Sequence, residues 1–554
     1  MSRWSKGAKA ALFTSSALAL AVSMAVNAAP SQDRYIVKFK PGKSTEAKGL
    51  VKRAGGSVAL DLKKHDAMAV TLPAQALKGF QNNPNIEYIE EDAKRHLMAE
   101  TSPWGLTSVA ANTPELTDAQ AGNTTVCIID SGYQADHTDL AANQVAGTNN
   151  SGTGNWYEDQ NHHGTHVAGT IAAVANGEGV VGVLPNGQVN LHIIKVFNAD
   201  GWGYTSSLVN AVDTCVANGA KVINMSLGGG RSSRTERNAF DSYYSQGVLA
   251  IAAAGNDGNS SHSYPASYDA VVSVAAVDNN HEWANFSQYT SQVEVSGPGE
   301  AILSSVPMGA GHLGDLVVGG QSWFDRGVVP HNRFEDQGSG YMPVPMPGQA
   351  SGALAQCDTS AGSYNCGDMT GKICVTERLA DQGGSSYPEI DAVKACQTAG
   401  AVASVVYSRA AKPGLQNPFL VDWDNELSIP SVSISRADGL ELLGHLGENA
   451  SLSVTTGGEH AYYNGTSMAT PHVTGVAALV WSQHPTCSAA EIRSALSSTA
   501  VDLDVAGRDD RTGYGLVNAV AAHDYLSAQG CTGSTGGSTG GGKPGKGGKG
   551  KAKL

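Results

Sequence analysis

Three short segments carry side chains whose types could perform one reaction together. The first is Gly465-Thr466-Ser467-Met468-Ala469-Thr470-Pro471-His472-Val473, which sets a serine between a glycine turn and the first turn of an apolar helix. A serine hydroxyl is a poor nucleophile at neutral pH. Exposure, a base and backbone N–H groups ready for an oxyanion change that. A helix start offers unpaired N–H groups and a partial positive charge. Pro471 reads as an early helical position, where a missing N–H costs little. Alone, Ser467 would read as an ordinary helix cap. The second segment, Val126-Cys127-Ile128-Ile129-Asp130-Ser131-Gly132, reads as a buried parallel strand with a carboxylate at its C-terminal edge. Acids at strand ends are often turn formers. The third, His162-His163-Gly164-Thr165-His166-Val167-Ala168-Gly169-Thr170, is a turn entering a small-residue helix. A histidine there can act as a general base. A buried aspartate can hold its ring in one tautomer and stabilise the imidazolium.

Taken together, the three segments resemble those of the subtilisin-like serine proteases, the subtilases. They occur in that family's order, Asp then His then Ser. The resemblance implies Asp130 as orienting acid, His163 as general base and Ser467 as nucleophile. His163 stands directly before Gly-Thr-His, so His162 and His166 are not the base. A fourth match is Ala252-Ala253-Ala254-Gly255-Asn256-Asp257-Gly258, which implies that the Asn256 amide donates to the oxyanion beside the Ser467 N–H. The implied reaction is peptide-bond hydrolysis through an acyl-enzyme. The implied substrate groove runs along Ser226, Leu227 and Gly228 and along Ala253, Ala254 and Gly255, with Ser263 near its floor. No residue of that set is charged, so apolar or aromatic side chains are expected on the acyl side of the cut, with Asp257 near the rim.

The resemblance also implies structural calcium. Val174-Ala175-Asn176-Gly177-Glu178-Gly179-Val180 has the oxygen-rich, glycine-rich character calcium prefers. The implied ligands are Asn176, the carbonyls of Val174, Glu178 and Val180, the Asp139 carboxylate and Glu100. His162 and His166 have a spacing that could grip zinc, but the glutamate of a His-Glu-x-x-His metalloprotease is absent.

The elements that must position these groups follow from composition and pattern. The chain has 554 residues, 41% hydrophobic, with 67 glycines and a net charge of −14. Several domains are expected. The acidic balance argues against nucleic acid as a partner. Residues 1–28 read as a secretory signal peptide, with Arg3, Lys6 and Lys9 before an apolar run. The protein is therefore expected to be secreted, not stably inserted in a membrane, and a monomer acting on proteins or peptides.

Residues 29–98 read as a small α+β domain, with strands Tyr35–Lys40, Ala67–Leu72 and Ile86–Glu90 and helices Ser44–Ala54 and Pro73–Asn82. The segment Ile86-Glu87-Tyr88-Ile89-Glu90-Glu91-Asp92 resembles the end of a subtilase pro-domain. That implies an intramolecular inhibitor, cut near Met98–Ala99. Residues 99–308 and 459–531 alternate apolar strands with small-residue helices. They read as a doubly wound parallel sheet with its chemistry at the carboxyl edge.

Roughly 150 residues separate Pro307 from Tyr462, too many for a structureless loop. This insertion (309–458) has strands such as Lys372–Glu377 and Ala403–Tyr407 and a helix near Glu389–Ala399. Over about 330–456 it resembles a protease-associated domain, which implies access control or substrate binding; a purely structural insert reads nearly as well. Residues 532–554 are Gly, Ser, Thr and Lys, and read as a disordered tail.

The eight cysteines are even in number, as an oxidising compartment favours. Cys127 and Cys215 read as a pair or as two buried thiols. Cys357, Cys366, Cys374 and Cys396 are expected to pair among themselves in one of three ways. Cys487 and Cys531 remain. No Cys-x2-Cys spacing points to zinc.

Overall fold

A computed structural model describes residues 32–73, 76–91, 100–111, 113–197, 204–336, 341–383 and 386–532. The expected signal peptide, the cut near Met98–Ala99 and the tail from 533 lie outside these residues. The chain forms two compact units, one ending at Leu97 and the other starting at Met98.

The first unit contains β1 (Gln32–Phe39), α1 (Ser44–Arg53), β2 (Ser57–Leu62), β3 (Ala67–Pro73), α2 (Leu77–Gln81) and β4 (Ile86–Glu91). Its antiparallel sheet runs β2-β3-β1-β4, the order of a split β-α-β motif. Val37, Phe39, Met68, Val70 and Leu72 pack with Val51 of α1 and Phe80 of α2. Sequence pattern does not reveal β2, because every residue in it is exposed or half-buried and no alternating core face is written. The predicted helix from Pro73 is shorter in the structure, since Pro73 closes β3 and α2 starts at Leu77.

The second unit opens with α3 (Trp104–Ser108), β5 (Thr125–Asp130), β6 (Gln144–Asn149), α4 (His163–Ala172), β7 (Asn190–Lys195), α5 (Thr205–Ala217), β8 (Val222–Met225), α6 (Arg234–Ser245), β9 (Leu249–Ala253), β10 (Val271–Val277) and β11 (Val293–Pro298). The seven strands form one parallel sheet in the order β11-β10-β9-β8-β5-β7-β6. Successive residues of β5 feed opposite faces. Val126 and Ile128 join one core with Val167 and Ile171 of α4, while Cys127 and Ile129 join the other with Leu208 of α5 and Phe240 of α6. Both faces are covered, so the strands read as largely apolar runs. His192 interrupts β7 and Glu294 interrupts β11, and edge strand β6 is too polar to show as a strand in the sequence.

The insertion follows β12 (Ile302–Ser305) and contributes β13 (Gly311–Val318), β14 (Gln321–Ser322), β15 (Val329–Pro330), β16 (Asn332–Asp336), β17 (Tyr341–Pro345), β18 (Gly348–Cys357), β19 (Ile373–Glu377), α7 (Ile390–Thr398), β20 (Ala403–Tyr407), β21 (Leu420–Val421), β22 (Ser431–Ile434), α8 (Arg436–Leu442) and β23 (Asn449–Gly458). The chain then returns through β24 (His460–Tyr463) into α9 (Thr466–Gln483), α10 (Ala489–Ser498) and α11 (Ala519–Gln529). At the root of the insertion, β12 and β24 pair antiparallel from Ile302↔Tyr463 to Ser305↔His460. This ladder ends a few residues before Ser467.

Four disulfides staple the second unit: Cys127–Cys215, Cys357–Cys366, Cys374–Cys396 and Cys487–Cys531. The first joins β5 to α5, so the two-thiol alternative is ruled out. The middle group pairs within the insertion.

Candidate active site

Parallel order brings the carboxyl ends of β5, β8 and β9 side by side, as an open α/β sheet requires of a binding crevice. Asp130 is the last residue of β5 and fully buried. Its Oδ1 accepts hydrogen bonds from the Ser131 N–H at 2.7 Å and from His163 Nδ1 at 2.8 Å. A carboxylate acceptor puts the proton on Nδ1 and leaves Nε2 as the basic nitrogen. The His163 side chain is 28% exposed. Burial alone would lower its pKa; the Asp130 charge and hydrogen bond, with help from Asp159, outweigh burial and hold it above the ordinary histidine value.

The turn that delivers His163 depends on Asp159, which the sequence reading passed over. Asp159 Oδ1 accepts from Ser131 Oγ and from the His162 N–H, and Oδ2 accepts from the Thr165 N–H and hydroxyl. These bonds hold His162 in left-handed backbone geometry (φ 75°) at the start of α4. An acid shortly before a helix start was the available signal. His166 is no zinc ligand. It is buried, its Nε2 lies 3.0 Å from the Ile302 carbonyl and 3.2 Å from that of Ala461, and its ring stacks on Tyr463. Burial and the nearby His163 push it down to about 3, so it stays neutral.

Ser467 sits at the second position of α9, after Gly465, whose φ of 147° favours glycine. The Gly465 N–H donates to the Gly299 carbonyl at 2.8 Å, pinning the turn to the end of β11. Pro471 corrects the sequence expectation: it lies inside the helix, not in its first turn. Its missing N–H leaves the Ser467 carbonyl without an intrahelical donor. The Ser226 hydroxyl takes that place at 2.7 Å. In turn Ser467 Oγ donates to the Ser226 carbonyl at 3.1 Å, rather than to His163.

Asn256 follows β9. Its Oδ1 accepts from the Thr466 N–H at 2.8 Å and the Thr466 hydroxyl at 2.9 Å. Both are donors to oxygen, so the amide is oriented with Nδ2 outward. A cavity of about 320 Å³ is lined by Leu227, Gly228, Ala253, Gly255, Asn256, Ser263 and Ser467, along with Asp257 and His262. Ser226 and Ala254 do not line it. Ser226 is spent on Ser467, and the Ala254 N–H is spent on the Val274 carbonyl. His262 was missed because a lone loop histidine carries no pattern.

The expected calcium residues also gather. Glu100 Oε1 accepts from the Asn176 and Gly177 N–H groups at 2.7 and 2.9 Å, and Asn176 Oδ1 accepts from the Glu178 N–H at 2.8 Å. The Val174 N–H donates to the Asp139 carbonyl, and the Val180 N–H to Asp139 Oδ2. Asp139 is buried and its Oδ2 also meets His460 Nε2 at 2.7 Å. Its Oδ1 has no partner among the described residues. That orphaned oxygen beside an oxygen-rich loop fits a hard cation. Burial alone would raise the Asp139 carboxyl; its bond to His460 and the His460 charge, with the Val180 N–H and His137, hold it below the usual value. Neither His137 nor His460 stood out in sequence, since His460 meets Asp139 only through β24.

The doubly wound sheet carries an acid, a histidine and a serine at its carboxyl edge, in the chain order Asp-His-Ser. The chain belongs to the Subtilase family, whose model matches residues 121–326 and 431–515. A PA domain matches residues 344–442, inside the insertion. The chain is 36% identical to subtilisin amylosacchariticus of Bacillus subtilis subsp. amylosacchariticus over 295 residues, covering 52% of this chain and 77% of that one. It is 42% identical to subtilisin DY of Bacillus licheniformis over 214 residues, covering 38% and 76%. The crystal structure of the psychrophilic subtilisin-like protease Apa1 from the Antarctic psychrotroph Pseudoalteromonas sp. AS-11 is similar at 61% identity and a TM-score of 0.75, covering 78% of this chain and 99% of that one. The protein is a subtilisin-type serine endopeptidase acting on protein substrates. No helix among the described residues is long and apolar enough to cross a membrane.

Proposed function

We propose that Ser467 attacks the peptide carbonyl while His163 Nε2 takes its proton, with Asp130 holding the ring from Nδ1. The observation that carries this reading is the 2.8 Å bond between Asp130 and His163, at the sheet edge where α9 presents Ser467. Attack requires Oγ to leave the Ser226 carbonyl and turn to Nε2, a tightening common on substrate binding. The oxyanion takes the Asn256 amide and the Ser467 N–H. His163 then protonates the departing amine, and water hydrolyses the ester by the same route in reverse. The test uses unfolded casein as substrate and a serine-directed phosphonate as label. Hydrolysis blocked by the label, with the label found on Ser467 by mass spectrometry, is the expected result; a label elsewhere overturns the assignment.

Asn256→Ala should lower kcat by about 10²–10³, the loss known for the corresponding donor of a subtilisin. Near-normal turnover on a peptide substrate would remove the oxyanion role.

The groove supports apolar or aromatic side chains on the acyl side. The first unit acts as an inhibitor until the chain is cut near Met98–Ala99, and the mature enzyme is secreted. Calcium bound by Asp139, Asn176, Glu100 and the carbonyls of Val174, Glu178 and Val180 stabilises the loop after α4. At free calcium one hundred times its Kd, such a site adds about 2.7 kcal/mol. The melting temperature should therefore fall in excess chelator, and Asp139→Asn should lose that calcium dependence. Identical melting curves with and without chelator would refute the site.

A further inference from the structure

A second cavity, of about 360 Å³, opens on the other side of Asn256 and Asp257, between the catalytic unit and the insertion. It shares only those two residues with the cavity beside Ser467. Asn256, the proposed oxyanion donor, lines both cavities, so the second lies within reach of a peptide whose acyl half fills the first. The walls come from both parts of the chain: Asp257, Phe286 and Glu300 from the catalytic unit, and Arg378, Glu389 and Phe419 from the insertion.

Charge at this cavity is out of balance. Arg378 is 1% exposed, but its guanidinium is already matched by Asp381 at 2.8 Å. Asp381 also holds Arg409 at 2.8 Å, so these three groups together keep a single positive charge against the acids Asp257, Glu300 and Glu389 of the same cavity. Glu389 is 5% exposed. One of its oxygens accepts from the Gln382 N–H. The other, Oε2, is buried with no hydrogen-bond partner among the described residues. Glu300 is 6% exposed and, among the described residues, its side chain takes one long bond, 3.3 Å, from the Asn417 N–H. Burial raises the Glu389 carboxyl and pushes Glu300 up to about 8. Arg378, and Lys412 for Glu300, offset this burial only in part, and a buried carboxylate with an orphaned oxygen is costly unless a proton or a cation arrives. Asp257 stands exposed at the mouth, and Phe286 and Phe419 offer ring faces of the kind a guanidinium packs against.

We propose that this cavity binds a basic side chain, arginine above all, of a substrate residue just after the scissile bond. The insertion then supplies part of the enzyme's specificity directly. This rests on the endopeptidase reading given above.

The test compares internally quenched peptides that differ at the first, second or third residue after the cut, each carrying arginine, citrulline or norleucine. Citrulline keeps arginine's shape without its charge. At one of the three positions kcat/KM for arginine should exceed that for citrulline by about tenfold or more. In the full chain carrying Glu389→Gln, that ratio should fall toward one. A ratio near one at every position in the unaltered protein overturns the proposal, as does an unchanged ratio in Glu389→Gln. Should that variant fail to fold, the exposed Phe419→Ala takes its place, with the same fall in the arginine to citrulline ratio expected and an unchanged ratio counting against. If no peptide is cut at all, the endopeptidase reading fails instead.

Discussion

Replacing Ser467 by alanine should lower kcat by about 10⁶, the scale known for the nucleophile of a subtilisin. The loss is large because the whole covalent route disappears with one oxygen atom. The helix start, the Asn256 amide and the groove survive the change, so catalysis about 10³–10⁴ above water should remain. Ser467 is half-buried and its backbone carbonyl, not its hydroxyl, accepts from Ser226. The Pro471 compensation is therefore kept in the variant, and its melting temperature should match the parent. Adding His163→Ala to Ser467→Ala should cost almost nothing further, because the base has no proton left to take. Single-turnover kinetics on a chromogenic peptide checks both statements. A loss below about a hundredfold for Ser467→Ala would assign the nucleophile elsewhere.

Asp130→Asn should lower kcat by about 10⁴, the size seen for the same change in another Ser-His-Asp enzyme. The reason is tautomeric. With a carboxylate on Nδ1, the ring must carry its proton there and presents Nε2 to the serine. An asparagine amide can donate to Nδ1 and send the proton to Nε2. The pH profile separates this from simple damage. The base works only when neutral, so activity is lost as pH falls through the His163 pKa. In the parent, Asp130 and Asp159 hold that pKa above the ordinary value of about 6.5. Asp130→Asn removes the larger raising influence and leaves the burial that lowers it. The acid limb of kcat/KM should shift to lower pH in the variant. An unchanged limb would show that the ionisation read out belongs to another group.

Legibility in the sequence followed burial. β5, β8, β9 and β10 lie under both cores, so each is written as a largely apolar run, broken inside only by Asn224 in β8 and Ser273 in β10. β2 and β6 sit at sheet edges with solvated side chains, and left no such trace. The residues proposed for catalysis stand out in the sequence because a glycine lies within two positions of each, in a local turn. What escaped was long-range. Ser226 supports the nucleophile from 241 residues away, through a hydroxyl that fills a gap left by Pro471. Asp139 meets His460 across 321 residues. Neither partnership has a spacing that a single chain could display. The cysteines lie between these cases: their grouping leaves three pairings for the middle four, and the fold selects Cys357–Cys366 and Cys374–Cys396.

The ladder between β12 and β24 has a consequence for how such a molecule can be assembled. Its two rails leave for the insertion from Ser305 and His460, which face one another as ladder partners about 5 Å apart. Whatever is spliced between those two residues begins and ends at the same point in space. A long passenger therefore adds no strain to the body that carries it, and a tight hairpin would close the same gap. The hydrolase can thus gain, lose or exchange a whole module at one seam while the serine a few residues downstream keeps its address.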